Sequence, residues 1–122
     1  MDTIAHKREA LRDLRSKTDD ALEEFVKAQI ALFAKMDEVK KANVAYEGLK
    51  NRLDELLRNT DYRFLKIREK EIDMMELDLH VRKSYIDSLK SEEFGLEQVC
   101  VAKEAALTEA RKAESDFLDN NM

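Results

Sequence analysis

Hydrophobic side chains recur along the first half of the chain with the heptad spacing of a helix that packs against other helices. With Leu11 as position a, positions a and d are apolar at nearly every turn as far as Thr60. A heptad pattern sustained over more than three or four repeats predicts a coiled-coil helix. The seam that we predict to drive self-association consists of Leu11, Leu14, Phe25, Leu32, Val39, Tyr46, Leu53 and Leu56.

The apolar stripe of this first half is wider than the seam of a two-stranded coiled coil. Position e carries Leu22, Met36 and Leu57. Position a carries the bulky side chains of Phe25 and Tyr46. A stripe over positions a, d and e is typical of helices in bundles, whereas a strict a and d pattern is typical of a dimeric seam. The pattern therefore favours packing against more than one neighbouring helix.

The heptad register changes in the middle of the chain. A second seam starts with Leu65 at position a, after a step that neither a stutter of four residues nor a stammer of three explains. The old register also persists through Ile67, Met74 and Val81. Because each residue advances by 100° around a helix, the two registers give an apolar arc of roughly 200° over residues 64–89. The second seam or partner face predicted here comprises Phe64, Ile67, Ile72, Met75, Leu79, Ile86 and Leu89.

Two all-α architectures fit this pattern. In the first, the chain turns near 59–61 into a hairpin of two helical segments, 1–58 and 61–118, with a tail at 119–122. Two such hairpins would form a four-helix bundle. In the second, one continuous helix of up to about 180 Å, at 1.5 Å per residue, dimerises in parallel. In either case residues 1–122 form a single coiled-coil unit.

Local sequence features bear on this choice without deciding it. The turn at 59–61 contains no glycine, which favours the continuous helix, because turns between helices often include one. In a parallel dimer, however, the acidic 91–122 segments would lie side by side. The stretch from Ser88 to Gly95 indicates a frayed or kinked point in one helix or, alternatively, a new helix capped by Ser91.

Composition supports long helices and narrows the classes of partner. The chain has no proline, two glycines and 40% charged residues. Proline and glycine interrupt helices, so their scarcity suits long ones. The net charge of −5 disfavours binding to phosphate backbones, and no apolar run is long enough to span a bilayer. We therefore expect neither nucleic-acid nor membrane partners. The single cysteine fits a reducing compartment, so the expected location is cytoplasmic, with cytoskeletal association or the nucleus as alternatives.

The sequence offers no arrangement of residues for catalysis. His6 lies among charged residues, and the residue three before His80 is Leu77, where a helical metal site of the Glu-x-x-His type needs glutamate. Cys100 occupies position a of the second seam, where it is expected to act as a small hydrophobic residue or, alternatively, to pair with a second copy. Met74 and Met75 are expected to fill a core. We predict no enzyme, no cofactor and no metal site.

The heptad pattern resembles coiled-coil segments of cytoskeletal, centrosomal, kinetochore and tethering assemblies. That resemblance implies a structural protein that forms homo-oligomers and scaffolds an assembly. Polar seam residues, which cost stability and often fix register or partner choice, support this hypothesis. They are Lys35, Arg68 and Arg82 at position d, and Glu93 and Glu114 at position a. The alternative is an adaptor that binds a partner helix through the apolar face at 64–89.

Overall fold

The computed structural model describes residues 3–121, which are almost wholly helical and contain no strand. Helix α1 spans Thr3–Asn59, the single-turn helix α2 spans Tyr62–Leu65, and helix α3 spans Glu69–Asn121. Helix α1 packs against α3. The predicted all-α class is confirmed, and the architecture is the helical hairpin. The alternative of one continuous helix is wrong, because the chain reverses after Asn59.

The reversal needs no glycine and no residue with positive φ among the described residues. Asp61 takes an extended conformation, with φ −58° and ψ 137°, and its carboxylate accepts a hydrogen bond from the backbone N–H of Arg63. Asp61 is therefore the N-cap of the second segment, as its position predicts. Hydrogen bonds from the Arg63 side chain, and then from its backbone, hold the pKa of Asp61 below its ordinary value of 3.8.

Helix α2 leads into α3 through a tightened stretch. The amide nitrogens of Ile67 and Arg68 lie 3.1 Å from the carbonyl oxygens of Phe64 and Leu65 respectively, a spacing of three residues typical of a 3₁₀ turn. The heptad register starting at Leu65 therefore follows a change of chain direction. This explains why its offset from the first seam matches no stutter or stammer.

Helix α3 then runs without interruption through Ser88, Ser91 and Gly95. The alternative of a new helix at Ser91 is wrong, because the preceding turns already supply its backbone partners. Glu69 and Glu71 lie in the first turn of α3, where carboxylates stabilise the positive end of the helix dipole. The helix continues through Asn121, past the predicted end at 118, and Met122 lies outside the described residues.

The hairpin divides into two compact units, each built from a stretch of α1 and a stretch of α3. Unit 1 combines the chain up to Phe33 with the chain from Phe94 onwards, and unit 2 is Ala34–Glu93. The buried apolar residues all occupy positions a or d. In unit 1 they are Ala28, Cys100 and Leu107, and in unit 2 they are Val39, Leu53, Ile86 and Leu89.

Candidate interaction surfaces

The predicted self-association seam lies inside the hairpin. Val39 and Leu53 are buried, and the other six members are partly buried, although only one chain is present. Their side chains are therefore already withdrawn from solvent by contacts within one molecule. An additional chain would have to bind elsewhere on the hairpin.

Charged pairs across the seam define how the antiparallel helices are aligned. In unit 1 the ammonium of Lys103 lies 3.8 Å from the carboxylate of Glu24. In unit 2 the ammonium of Lys35 lies 2.8 Å from the carboxylate of Glu92. In both pairs the two residue numbers add up to 127. Within each unit, a residue of α1 therefore lies at the same height along the hairpin as the residue of α3 whose number brings the sum to 127, and we call two such residues level.

A cluster of hydrogen-bonded polar side chains lies in the seam of unit 1 near the chain ends. Glu114, at position a, accepts hydrogen bonds from the Thr18 hydroxyl at 3.1 Å and from Nε of Arg15 at 3.3 Å. The Thr18 hydroxyl also lies 3.1 Å from the carbonyl oxygen of Leu14. Partly buried polar groups are tolerated when they are hydrogen-bonded. Here the carboxylate of Glu114 on α3 receives its hydrogen bonds from two side chains of α1, on the other side of the seam.

The polar seam residues of unit 2 form ion pairs both across the seam and with close neighbours in the sequence. Lys35 also lies 3.1 Å from Glu38 of the same helix, and the hydrogen bonds with Glu92 and then Glu38 raise its pKa above 10.5. Arg82 lies 3.2 Å from Asp78. Arg68, which the heptad pattern placed at position d, is exposed next to α2 and lies 3.7 Å from Glu71. Glu93 is partly buried.

The predicted arc at 64–89 divides between two environments. Ile86 and Leu89 are buried in the hairpin seam, and Ile72, Met75 and Leu79 are partly buried there. In contrast, Phe64 and Ile67 are exposed. The hairpin seam contains the residues of the register that starts at Leu65. The residues that continue the register of the first half, Ile67, Met74 and Val81, therefore lie on another side of the chain. The arc is therefore not one surface open to a partner.

The exposed part of that arc forms a surface of unit 2. It follows position c of the second register through Ile67, just before α3, and through Met74 and Val81 of α3, and it includes Tyr85 at position g. The exposed fractions of these residues are 78%, 72%, 57% and 57%. We refer to these four residues as the unit 2 surface.

Next to Tyr85, a shallow depression of about 350 Å³ has Ala42 and Ala45 of α1 among its lining residues. The charged residues at its rim are paired within their own helices. Lys41 lies 2.9 Å from Asp37, whose hydrogen bond raises the pKa of Lys41. Arg82 pairs in the same way with Asp78. The depression can therefore receive an apolar side chain without leaving an unpaired charge beside it.

A second exposed apolar surface lies on unit 1 and was not predicted as a site. Its members are Leu22, Val26, Ile30 and Phe33 of α1 with Phe94 and Val101 of α3, and their exposed fractions range from 40% to 63%. We refer to these six residues as the unit 1 surface. The alignment places Phe33 level with Phe94 and Val26 level with Val101. Both pairs occupy position b, so each level presents one apolar residue from each helix.

Only part of the unit 1 surface belongs to the apolar stripe that the sequence predicts. Leu22 lies in that stripe, at position e, whereas the other members occupy positions b and f, outside it. The available signal was the sevenfold spacing of Val26 and Phe33, repeated by Phe94 and Val101.

The two histidines and the cysteine lie in different surroundings. His6 and His80 are exposed, and Cys100 is a buried free thiol. Met74 is exposed and Met75 is partly buried, so only Met75 contributes to the seam. Across residues 3–121 no three His, Cys, Asp or Glu side chains are grouped so that they could hold a metal ion.

Comparison with protein families, curated proteins and solved structures finds no match to this chain. Among the described residues, no helix combines the length and the hydrophobicity needed to cross a membrane.

Proposed function

We propose that this chain is a structural protein that self-associates through the outer faces of its hairpin and scaffolds a larger assembly of the cytoskeletal, kinetochore or centrosomal type. The expected location is the cytoplasm, with cytoskeletal association or the nucleus as alternatives. The observation that carries the proposal is the amount of surface that the single chain leaves exposed.

The chain has an accessible surface of 9490 Å² for a mass of 14.2 kDa. A compact monomer of this mass exposes about 6,800 Å², so the excess is about 2,700 Å². Obligate interfaces bury from about 2,000 to more than 5,000 Å² in total over both partners. One chain therefore has enough extra surface for an interface of that class.

The internal core is correspondingly small. Only seven of the described residues are buried apolar residues, and just one of them, Ile86, is almost completely buried. Two helices bury only the stripe that each turns towards the other, so apolar residues on any other side need a further helix. The unit 1 and unit 2 surfaces are such additional stripes, and contiguous exposed apolar surface of this kind marks interaction sites.

Polar contacts in the seam support a dedicated pairing of α1 with α3. The Glu114 cluster in unit 1 and the Lys35–Glu92 pair in unit 2 each join α1 to α3. Buried or partly buried polar groups of this kind can fix register. Within each unit, a fixed seam holds the outer sides of the two helices in a defined orientation, which is what a scaffold component needs.

The test is the dependence of thermal unfolding on protein concentration. If the chain self-associates, the midpoint of unfolding, followed by circular dichroism, rises as the concentration increases from about 1 to 100 μM, because mass action favours the associated folded state. A midpoint that does not change over this range, together with a monomeric mass, contradicts the proposal.

A second candidate function is an adaptor that binds a partner helix through the unit 2 surface. The unit 2 surface favours it, because its exposed side chains follow one side of α3 and the turn before it, next to a depression that has Ala42 and Ala45 among its lining residues. Leu79→Glu is unsuitable as a test of this hypothesis, because Leu79 is partly buried in the hairpin seam and its replacement would destabilise the fold.

The suitable variant for the adaptor hypothesis is Val81→Glu, with His80→Glu as the matched control on another side of the same turn. If the adaptor hypothesis is correct, V81E retains the oligomeric mass of the wild type but loses co-purifying partners, whereas H80E retains both. Dissociation of the oligomer by V81E assigns the unit 2 surface to self-association. If V81E changes neither partner binding nor the oligomeric mass, the unit 2 surface takes part in neither interaction.

A further inference from the structure

Helix α1 carries a charge pattern at position b that is complementary to itself when reversed. From residue 12 onwards, every seventh residue is in turn basic, acidic, apolar, apolar, basic and acidic. These residues are Arg12, Asp19, Val26, Phe33, Lys40 and Glu47. Within residues 3–121, none of the four charged members takes part in an ion pair. All four are exposed.

From this pattern we propose that the occupant of the unit 1 surface is a second copy of this chain, with the two α1 helices antiparallel about a twofold axis near Gln29 and Ile30. The proposal rests on the proposed function, and it deepens that function by naming the surface, the partner and the orientation. In this arrangement, facing residues at position b have numbers that sum to 59. Arg12 then faces Glu47 of the second copy, and Asp19 faces Lys40.

The apolar residues are complementary in size in the same arrangement. Val26 faces Phe33 of the second copy, and the twofold axis repeats this contact in the opposite sense. On α3, Phe94 likewise faces Val101 of the second copy. Large residues opposite small ones let the side chains of two faces interdigitate. A twofold interface requires this kind of self-complementary surface, in which each residue type meets its counterpart.

The flanking positions are compatible with this pairing. At position e, Leu22 faces the half-exposed Met36 of the second copy, so both become covered. At position f, Glu23 approaches Asp37 of the second copy, which would be a repulsive contact between bare carboxylates. Each carboxylate forms an ion pair with a lysine of its own helix. The carboxylate of Glu23 lies 3.3 Å from the ammonium of Lys27, and the carboxylate of Asp37 lies 2.9 Å from the ammonium of Lys41. The repulsion is therefore partly compensated.

Other alignments of the same two faces are worse. If one helix is shifted by a heptad in one direction, the numbers of facing residues sum to 52, and Arg12 lies opposite Lys40 of the second copy. If it is shifted by a heptad in the other direction, Asp19 lies opposite Glu47. A parallel, in-register pairing of the two α1 helices places each charge opposite itself. Like charges that face each other destabilise a helix pair. The charge pattern thus selects one antiparallel register.

A charge swap tests this register. Asp19→Lys and Lys40→Glu each replace two symmetry-related attractions with two repulsions. Each single variant is expected to raise the dissociation constant of the dimer roughly tenfold, given the modest strength of surface ion pairs. The double variant D19K/K40E restores attraction and should return to within about threefold of wild type. Sedimentation equilibrium measures the constants, and circular dichroism verifies that helicity is unchanged.

The outcomes separate this inference from the proposed function. Rescue by the double variant supports the antiparallel register. A double variant that binds more weakly than both single variants, while the wild type self-associates, overturns the register and leaves the proposed function standing. A wild-type chain that remains monomeric overturns both.

Cross-linking provides a second test that does not depend on electrostatics. Near the proposed axis, Ile30→Cys brings two thiols together, whereas Lys40→Cys leaves the two thiols far apart along the helix. A short bifunctional maleimide should link I30C into a covalent dimer and leave K40C largely unlinked, with the wild-type chain and its buried Cys100 as the background control. Equal linking of I30C and K40C is the result of a parallel pairing and contradicts the proposal.

Discussion

Unit 1 and unit 2 share the same two helices but divide their hydrophobic residues differently. The buried residues of unit 2 are all branched aliphatic residues, with Ile86 only 1% exposed. The buried residues of unit 1 include the small Ala28 and Cys100, and its seam also contains the polar cluster around Glu114. Unit 2 is therefore stabilised more by its own seam.

The outer faces show the opposite balance. Both helices of unit 1 contribute to its exposed apolar surface, through level pairs such as Phe33 with Phe94, whereas three of the four members of the unit 2 surface lie on α3 and Ile67 lies just before it. A thinner internal seam together with an apolar outer face on both helices is typical of a segment that gains stability from a partner. Heptad spacing alone therefore does not distinguish a part of a hairpin that buries its large apolar residues internally from a part that leaves them exposed on both helices.

The largest expected effect is on the seam of unit 2. Ile86→Ala should lower the free energy of unfolding by about 3 kcal/mol, because it removes a buried aliphatic side chain and leaves a cavity. Urea unfolding followed by circular dichroism measures the change. The matched control is Ile30→Ala on the exposed surface of unit 1, which should cost less than about 1 kcal/mol at concentrations where the chain is monomeric. Equal costs for the two variants would contradict the assigned seam.

A smaller effect is expected for the polar cluster of unit 1. Glu114→Ala should lower the free energy of unfolding by about 1 kcal/mol, because the Thr18 hydroxyl and the Arg15 guanidinium lose a shared acceptor across the seam. Asp116→Ala is the control, since Asp116 is exposed. The coupling can be isolated with Thr18→Val in a double-mutant cycle. Additive effects of T18V and E114A would show that the two side chains do not interact in solution.

The smallest effect concerns the turn in unit 2. Asp61→Asn keeps an oxygen that can cap α2 but removes the charge that attracts Arg63, so the thermal midpoint at pH 7 should fall slightly. The folded pKa of Asp61 is depressed, so its contribution is complete above the unfolded pKa near 3.8 and is lost as the pH falls through the folded value. The difference between variant and wild type should therefore disappear in acid. A difference that persists at pH 2 would contradict the role assigned to the charge.

Much of the fold could be predicted from the sequence, because burial in a helix pair follows the heptad period. Val39, Leu53, Ile86 and Leu89 occupy such heptad positions and are buried in the hairpin, whereas Phe64 and Ile67 of the second predicted seam are exposed. The reversal could not be decided, because the chain turns through the extended Asp61 and a 3₁₀ stretch, and not through the glycine that helix turns often use.

The exposed surfaces were harder to identify. In the sequence, Ile67, Met74 and Val81 continue the heptad period of the first seam. Only the structure, in which the register of Leu65 packs against α1, shows that these three residues lie outside the hairpin seam. For the unit 1 surface, the alignment of α1 with α3 had to be known before Val26 and Val101 could be recognised as level neighbours. Whether either surface drives assembly stays a prediction.

Self-association is the central claim, and the mass of the wild-type chain in solution, determined by light scattering during size-exclusion chromatography, tests it most directly. We expect about twice the chain mass of 14.2 kDa, or a larger multiple, at concentrations of tens of micromolar. Phe33→Glu should shift the mass towards that of the monomer, with no loss of helicity. A wild-type mass of 14.2 kDa at every concentration up to about 100 μM would contradict the account.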